Sequence, residues 1–210
     1  MTGVARTPNL LTESLGFDSF SPLTLAVAKT MWGAGYRWVG RYLENLTASE
    51  VSMLQALGFG ILLITEAVVI PLNGAVGTAT GSEAVSLAQN LSAPQDVHLW
   101  VDDEAAQGTL TNVTAYLTNK SAAIIAGSYR AGLYVGANQP LSGVQLYDVE
   151  DMTSYWKGGS MDLPEPSCDF AVWQIPPLDR APPPLNGFKI DVDIIGVDNE
   201  GRSPMLWFPN

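Results

Sequence analysis

Strand-like apolar runs alternating with helix-like segments predict an α/β chain closed as a TIM-like (β/α) barrel, with five β/α units followed by three strands with few helices. Three observations carry this. Alternation of the two element types implies a parallel sheet. Eight strand candidates fall within 210 residues, a length at the lower end for such barrels and better suited to closure than to an open doubly wound sheet. No glycine-rich phosphate fingerprint follows any strand, because the spacing from Gly74 to Gly81 fits neither a dinucleotide nor a P-loop site.

The elements follow in order. Leu15 to Phe20 is the first strand, and Ser21-Pro22 is a cap-and-first-turn signal for a helix running to about Trp32 and closed by Gly33-Ala34-Gly35. Tyr36 to Leu43 is the second strand. Thr47-Ala48-Ser49-Glu50 has the capping-box form and opens a helix with Val51, Leu54 and Leu57 on one side, stopped at Gly58. Phe59 to Thr65 is nearly continuous in apolar residues, as parallel strands covered on both faces tend to be. Asn73 to Gly81 reads as a loop before a helix from about Ser82 to Leu91. The fourth strand centres on Val97 to Asp102, a helix spans Leu110 to Gly127, and Ala131 to Gly136 is the fifth strand. Val144 to Tyr147, Phe170 to Ile175 and Phe188 to Val192 read as three more strands, with a short helix near Met152 to Trp156. The prolines from Pro176 to Pro184 forbid a helix before the last strand. Residues 1–14 read as a leader, 15–196 as the barrel and 197–210 as a tail.

Composition narrows function. Hydrophobic residues make up 47% and charged residues 15%, which describes a globular chain with a large core. Ten basic against 21 acidic side chains give a net charge of −11, a field that repels nucleic acid and anionic membrane surfaces, so neither is expected as a partner. No apolar run reaches membrane-spanning length. Met1 to Glu13 lacks a signal-peptide layout, so the chain is expected to be made in the cytoplasm. One cysteine, Cys168, and one histidine, His98, exclude an internal disulfide and a Cys/His metal site, and no cofactor is expected. The single histidine also leaves no nucleophile-base-acid triad.

The chemistry gathers where an apolar strand runs into acids, at Val101-Asp102-Asp103-Glu104. Along extended backbone Asp102 and Glu104 point one way and Asp103 the other. Two carboxyls sharing one region suit general acid/base work at a glycosidic bond, while the alternative is a pair of solvated loop acids. In a (β/α) barrel, strand C-termini converge on one face. That gathers Asp18, Arg41, Glu66, Asp102, Glu104, Tyr134, Trp173, Gln174, Asp191 and Asp193 at one mouth. Acids beside aromatics suit a sugar groove. Asp18 could equally cap the following helix, Arg41 could serve to neutralise Glu66 or an inward aspartate, and of Asp191 and Asp193 the former is favoured for the mouth.

The ordered set Gly16-Phe17-Asp18, Gly40-Arg41-Tyr42-Leu43, Leu46 to Glu50, Ile61 to Glu66, Val101 to Glu104, Gly132 to Gly136, Trp173-Gln174 and Ile190 to Asp193 resembles the glycoside hydrolase-like (DUF1906) domain. That group is similar to glycoside hydrolase family 25 lysozymes, which hydrolyse peptidoglycan. The resemblance implies a muramidase cleaving the β-1,4 bond between N-acetylmuramic acid and N-acetylglucosamine. It implies Glu104 as general acid, Asp102 as support for the N-acetyl group, and Asp18 and Asp191 as acids from the first and last strands. Arg41 and Glu66 belong to the glycoside hydrolase-like pattern, and with Tyr134, Trp173, Gln174 and Asp193 form the expected substrate-binding set. Such a chain fits a phage lysin or virion-associated enzyme acting at the cell wall. The alternative is an inactive glycan-binding or structural barrel of a phage or injection particle, with the apolar tail Met205 to Pro209 docking on a virion partner or folding under the barrel.

Overall fold

The structure, a computed structural model, describes residues 3–66, 71–104, 108–137, 139–160, 162–180 and 188–210, with backbone alone at 177–180. In chain order the elements are β1 (Val4–Arg6), β2 (Leu15–Ser19), α1 (Leu25–Gly33), β3 (Trp38–Tyr42), α2 (Ala48–Leu57), β4 (Gly60–Thr65), α3 (Gly74–Asn90) and β5 (His98–Asp102). They continue with α4 (Leu110–Ala126), β6 (Arg130–Val135), α5 (Gly143–Tyr147), β7 (Met152–Lys157), β8 (Val172–Arg180), β9 (Ile190–Ile195) and β10 (Leu206–Phe208). Strands β2 to β9 close into an eight-stranded barrel, because β4 pairs with both β3 and β5 and β9 pairs with both β8 and β2. The pairs from β2 through β8 are parallel, and β9 runs antiparallel to both neighbours. This is the expected five β/α units followed by three strands. The reversal of β9 follows from chain length: nine residues separate Arg180 from Ile190, too few for the crossover that a parallel neighbour needs.

The period-2 alternation sorts each strand into an inward and an outward set. Trp38, Leu62, Ile64, Trp100, Trp156 and Val172 fill the interior. Phe17, Val39, Ile61, Leu63, Leu99, Val101 and Leu133 face outward in a larger core beneath the helices. No described helix is long and apolar enough to cross a membrane.

Four elements differ from the sequence expectations. Helix α1 is capped by Thr24, whose side chain accepts from Val27 N, and not by Ser21. The Leu23 N–H is committed to Glu50 Oε1 at 3.0 Å, so the chain stays extended past Pro22. The glycine-rich stretch after Asn73 is helical, because α3 packs flush against α4: a Cβ on Gly77 would stand 2.2 Å from Tyr116 O, and one on Gly81 would stand 2.8 Å from Lys120 O. The close approach requires glycine despite its poor helix propensity. Val144 to Tyr147 lies in a helix, opened by a full capping box between Ser142 and Gln145, whereas Met152 to Trp156 is strand. Segments this short show no decisive period, and the cap and the pairing with β6 decide. Strand β8 runs through Pro176 and Pro177 to Arg180, and the remainder of the proline run, 181–184, lies outside the described residues.

The two ends of the chain close the bottom. Strand β10 pairs antiparallel with β4 at Trp207↔Ile61 and with β1 along Val4 to Arg6. Its neighbour Met205 exchanges bonds with β5, His98 N donating to Met205 O and Met205 N to His98 Nδ1, both at 2.9 Å. Leu206, Trp207 and Phe208 are buried within this chain. The apolar tail therefore folds under the barrel, and those side chains are not presented to a partner. His98, buried beside them, is held neutral by desolvation and its pKa falls to about 3.

Candidate active site

At the opposite end, inward side chains of all eight barrel strands, β2 to β9, surround a narrow cavity of about 60 Å³. It is lined by Asp18, Tyr42, Asp102, Glu104, Tyr134, Trp156, Gln174 and Asp191. Asp18, Tyr42 and Asp191 also line an outer groove of about 240 Å³, together with Phe20 and Lys189. Phe20 is half exposed there and meets the Tyr42 ring edge-on at 5.3 Å.

Asp102 is held on both oxygens. Its Oδ1 accepts from the Glu104 backbone N–H at 3.1 Å and its Oδ2 from the Tyr42 hydroxyl at 3.4 Å. Glu104, two residues past the end of β5, lies over Gly136 just beyond β6, where a Cβ would stand 2.2 Å from Glu104 Cγ and push the Glu104 side chain aside. Burial, and then the Asp102 charge, push the Glu104 carboxyl above its ordinary range. Burial also raises Asp102, against its two hydrogen bonds. Tyr134 O lies 3.2 Å from Glu104 Oε1 and 2.9 Å from Gln174 Oε1. Gln174 Nε2 donates to Asp18 Oδ2 at 3.2 Å.

Beneath lies a carboxyl pair. Asp191 is level with Asp18 across the β2–β9 ladder, and Asp193 is one inward step deeper, level with Gly16. Asp193 is fully buried and accepts from Trp156 Nε1 at 3.1 Å. Burial and the neighbouring Asp191 push Asp18 up to about 7, and burial together with Asp18 holds Asp193 well above the carboxylate range. Two buried carboxyls in contact favour sharing a proton over ionising together.

The fold thus brings Asp18, Asp102, Glu104, Tyr134, Gln174 and Asp191 to one cavity, with Asp193 at its floor. Arg41 is not among them. Gly40 and Tyr42 point inward, so Arg41 points outward, fully buried, and donates to Glu50 Oε1 at 2.8 Å and to the Ser19 carbonyl. Its partner is Glu50, not Glu66. Glu66 is exposed, and its N–H donates to Glu44 Oε1 at 3.1 Å. Trp173 is outward as well, since Gln174 is inward, and with Lys157 and Gly159 it borders a separate cleft of about 310 Å³. Tyr42, which the sequence expectation does not include, carries its signal in standing two residues after inward Gly40. Among the described residues no cluster of histidine, cysteine and carboxylate side chains is arranged to hold a metal ion.

Residues 29–178 match the family of the Rv2525c-like, glycoside hydrolase-like domain. The chain belongs to that family. Two solved structures share the glycoside hydrolase-like fold. An uncharacterized B. stearothermophilus protein superposes with a TM-score of 0.71 at 19% identity, over 87% of this chain and 96% of that one. A family 25 glycosyl hydrolase from Bacillus anthracis superposes with a TM-score of 0.62 at 11% identity, over 94% of this chain and 95% of that one. No curated protein matches the sequence. At these identities the likeness establishes a glycosidase-like barrel, and the chemistry rests on the cavity itself.

Proposed function

We propose that this glycoside hydrolase-like domain is a peptidoglycan hydrolase of the lysozyme type, cleaving the β-1,4 bond between N-acetylmuramic acid and N-acetylglucosamine. The observation that carries the reading is the pairing of Asp102, fixed by Tyr42 and by the Glu104 N–H, with Glu104, whose carboxyl is held toward its acid form at the same cavity. A raised carboxyl beside an oriented one divides the labour of glycoside hydrolysis. Glu104 protonates the leaving glycosidic oxygen. Asp102 supports the sugar N-acetyl oxygen or an attacking water, and Asp18 and Asp191 line the same cavity. The aromatic faces of Tyr42 and Phe20 offer stacking surface in the outer groove.

The similarity to a family 25 glycosyl hydrolase supports the choice of reaction class. Arg41 supports it too, by its absence from the cavity: it is spent on Glu50, so it does not neutralise the acids. The same reading would have the chain act at the cell wall, as a phage lysin or virion-associated enzyme. The test is release of reducing sugar from purified peptidoglycan, with product masses recorded, by the wild-type chain and by Glu104→Gln. Muramic-acid-ended products from wild type alone support the reading. Silence from a folded wild-type chain that still binds the wall overturns it in favour of a glycan-binding barrel.

A further inference from the structure

Tyr134 stands between two oxygens and has one proton to donate. The amide of Gln174 decides where that proton goes. The backbone N–H of Gly159 can only donate, and it meets Gln174 Oε1 at 2.9 Å, while Gln174 Nε2 faces Asp18 Oδ2 at 3.2 Å. Turning the amide over would set its NH₂ against the Gly159 N–H, two donors facing each other, so the Gly159 contact holds it in one orientation. Gln174 Oε1 has no proton to offer Tyr134. Two oxygens 2.9 Å apart that share no proton repel, so the Tyr134 proton lies on the line to Gln174. The Tyr134 oxygen is then left with only lone pairs facing Glu104 Oε1 at 3.2 Å.

We propose that Gln174 is a positioning residue that turns Tyr134 into a hydrogen-bond acceptor for Glu104, so that Glu104 rests in its protonated form with the acid proton directed at the Tyr134 oxygen. A glycosidic oxygen entering the cavity replaces Tyr134 as the acceptor. This deepens the hydrolase reading, but its evidence is the donor and acceptor count, which holds whether or not the chain turns over. The other titratable groups facing Glu104 act in the same sense: Asp102 at the end of β5 and Asp191 on β9 both oppose its ionisation. Asp18 on β2 and Tyr42 on β3 line the same cavity. Gln174 was expected to touch substrate; here all its polar atoms are committed to protein.

The direction of the Tyr134 bond can be read from a sign. Glutamate carboxyl carbons are isotopically labelled and titrated by NMR, with Glu104→Gln used to assign the Glu104 signal. If Tyr134 accepts, Tyr134→Phe removes a partner of the protonated form and the Glu104 pKa falls, by about one unit for one hydrogen bond. Gln174→Met frees the Tyr134 proton to turn toward Glu104, and the pKa falls again. A rise in Tyr134→Phe overturns the proposal, since it means that Tyr134 donates to the carboxylate; no change in a folded Gln174→Met overturns it equally. Should Gln174→Met not fold, the sign in Tyr134→Phe decides alone. A falling pKa in a chain that cleaves no peptidoglycan keeps the relay and defeats the hydrolase reading. A rising pKa in one that cleaves does the reverse.

Discussion

Two groups of buried charge lie on either side of the same barrel wall, one residue apart in the sequence. Outside the wall Arg41 meets Glu50 at 2.8 Å, with the Ser19 carbonyl and the Leu23 N–H completing the pair. Inside, starting from the adjacent positions Asp18 and Gly40, the carboxyls of Asp18, Asp102, Glu104 and Asp193 meet hydroxyls, an amide and an indole. Paired opposite charges need no proton exchange, so the outer group ties α2 to the strands and nothing more. Crowded carboxyls must keep protons to remain buried, and a retained proton is what an acid catalyst needs. Alternation along β2 and β3 separates a structural device from a chemical one by a single residue step.

The contrast can be broken most strongly from outside. Glu50→Ala leaves Arg41 buried and unpaired, and should cost about 3–5 kcal/mol of stability in urea denaturation. Replacing both partners by apolar residues of similar volume should recover most of that loss. If Glu50→Ala proves harmless, the outer pair is not the strut described here.

Inside the wall the largest effect falls on rate. Glu104→Gln should reduce peptidoglycan cleavage roughly a hundredfold or more while leaving the urea midpoint near that of wild type. A variant that keeps full rate would remove Glu104 from the chemistry.

The carboxyl pair predicts a pH dependence with a definite sign. Unfolded aspartates titrate near 4, whereas folded Asp18 titrates at about 7. The native state holds a proton that the unfolded chain has released, so this contribution is complete below about pH 4 and is lost as pH rises toward 7. His98, lowered to about 3, acts in the opposite sense across part of that range. The difference between variant and wild type isolates the pair. Asp193→Asn, whose amide can donate to Asp18 and accept from Trp156, should be stabilised relative to wild type by more at pH 8 than at pH 4, by about 1–2 kcal/mol. An equal difference at both values would mean that the pair shares no proton.

The smallest effect concerns placement alone. Gly136→Ala pushes a methyl group into Glu104 Cγ and should lower the rate about tenfold through misplacement of the acid, with the fold intact.

Much of this arrangement was legible in the chain. The ordered strands with acids at their C-terminal ends carried both the barrel and the gathering of Asp18, Asp102, Glu104 and Asp191, because period-2 alternation and strand-end convergence are local rules. Phase is legible in the chain too. The alternation that turns Trp100 and Asp102 the same way also turns Arg41 and Trp173 away from Gly40, Tyr42 and Gln174. Short segments gave no period, which is why α5 and β7 were exchanged, and the glycines of α3 signalled a loop until α4 lay against them.

By itself, then, the amino-acid sequence determined the repeating units, the acidic rim and the lack of a second cysteine among these residues to pair with Cys168, since these depend on composition and on neighbours in the chain. Tertiary structure alone decided that the Arg41 guanidinium goes to Glu50, that the apolar tail seals the bottom of its own barrel, and that Gln174 stands between Asp18 and Tyr134. Each of those is a contact between residues far apart in sequence, and the energy of a buried charge or a directed proton depends on which distant group closes around it.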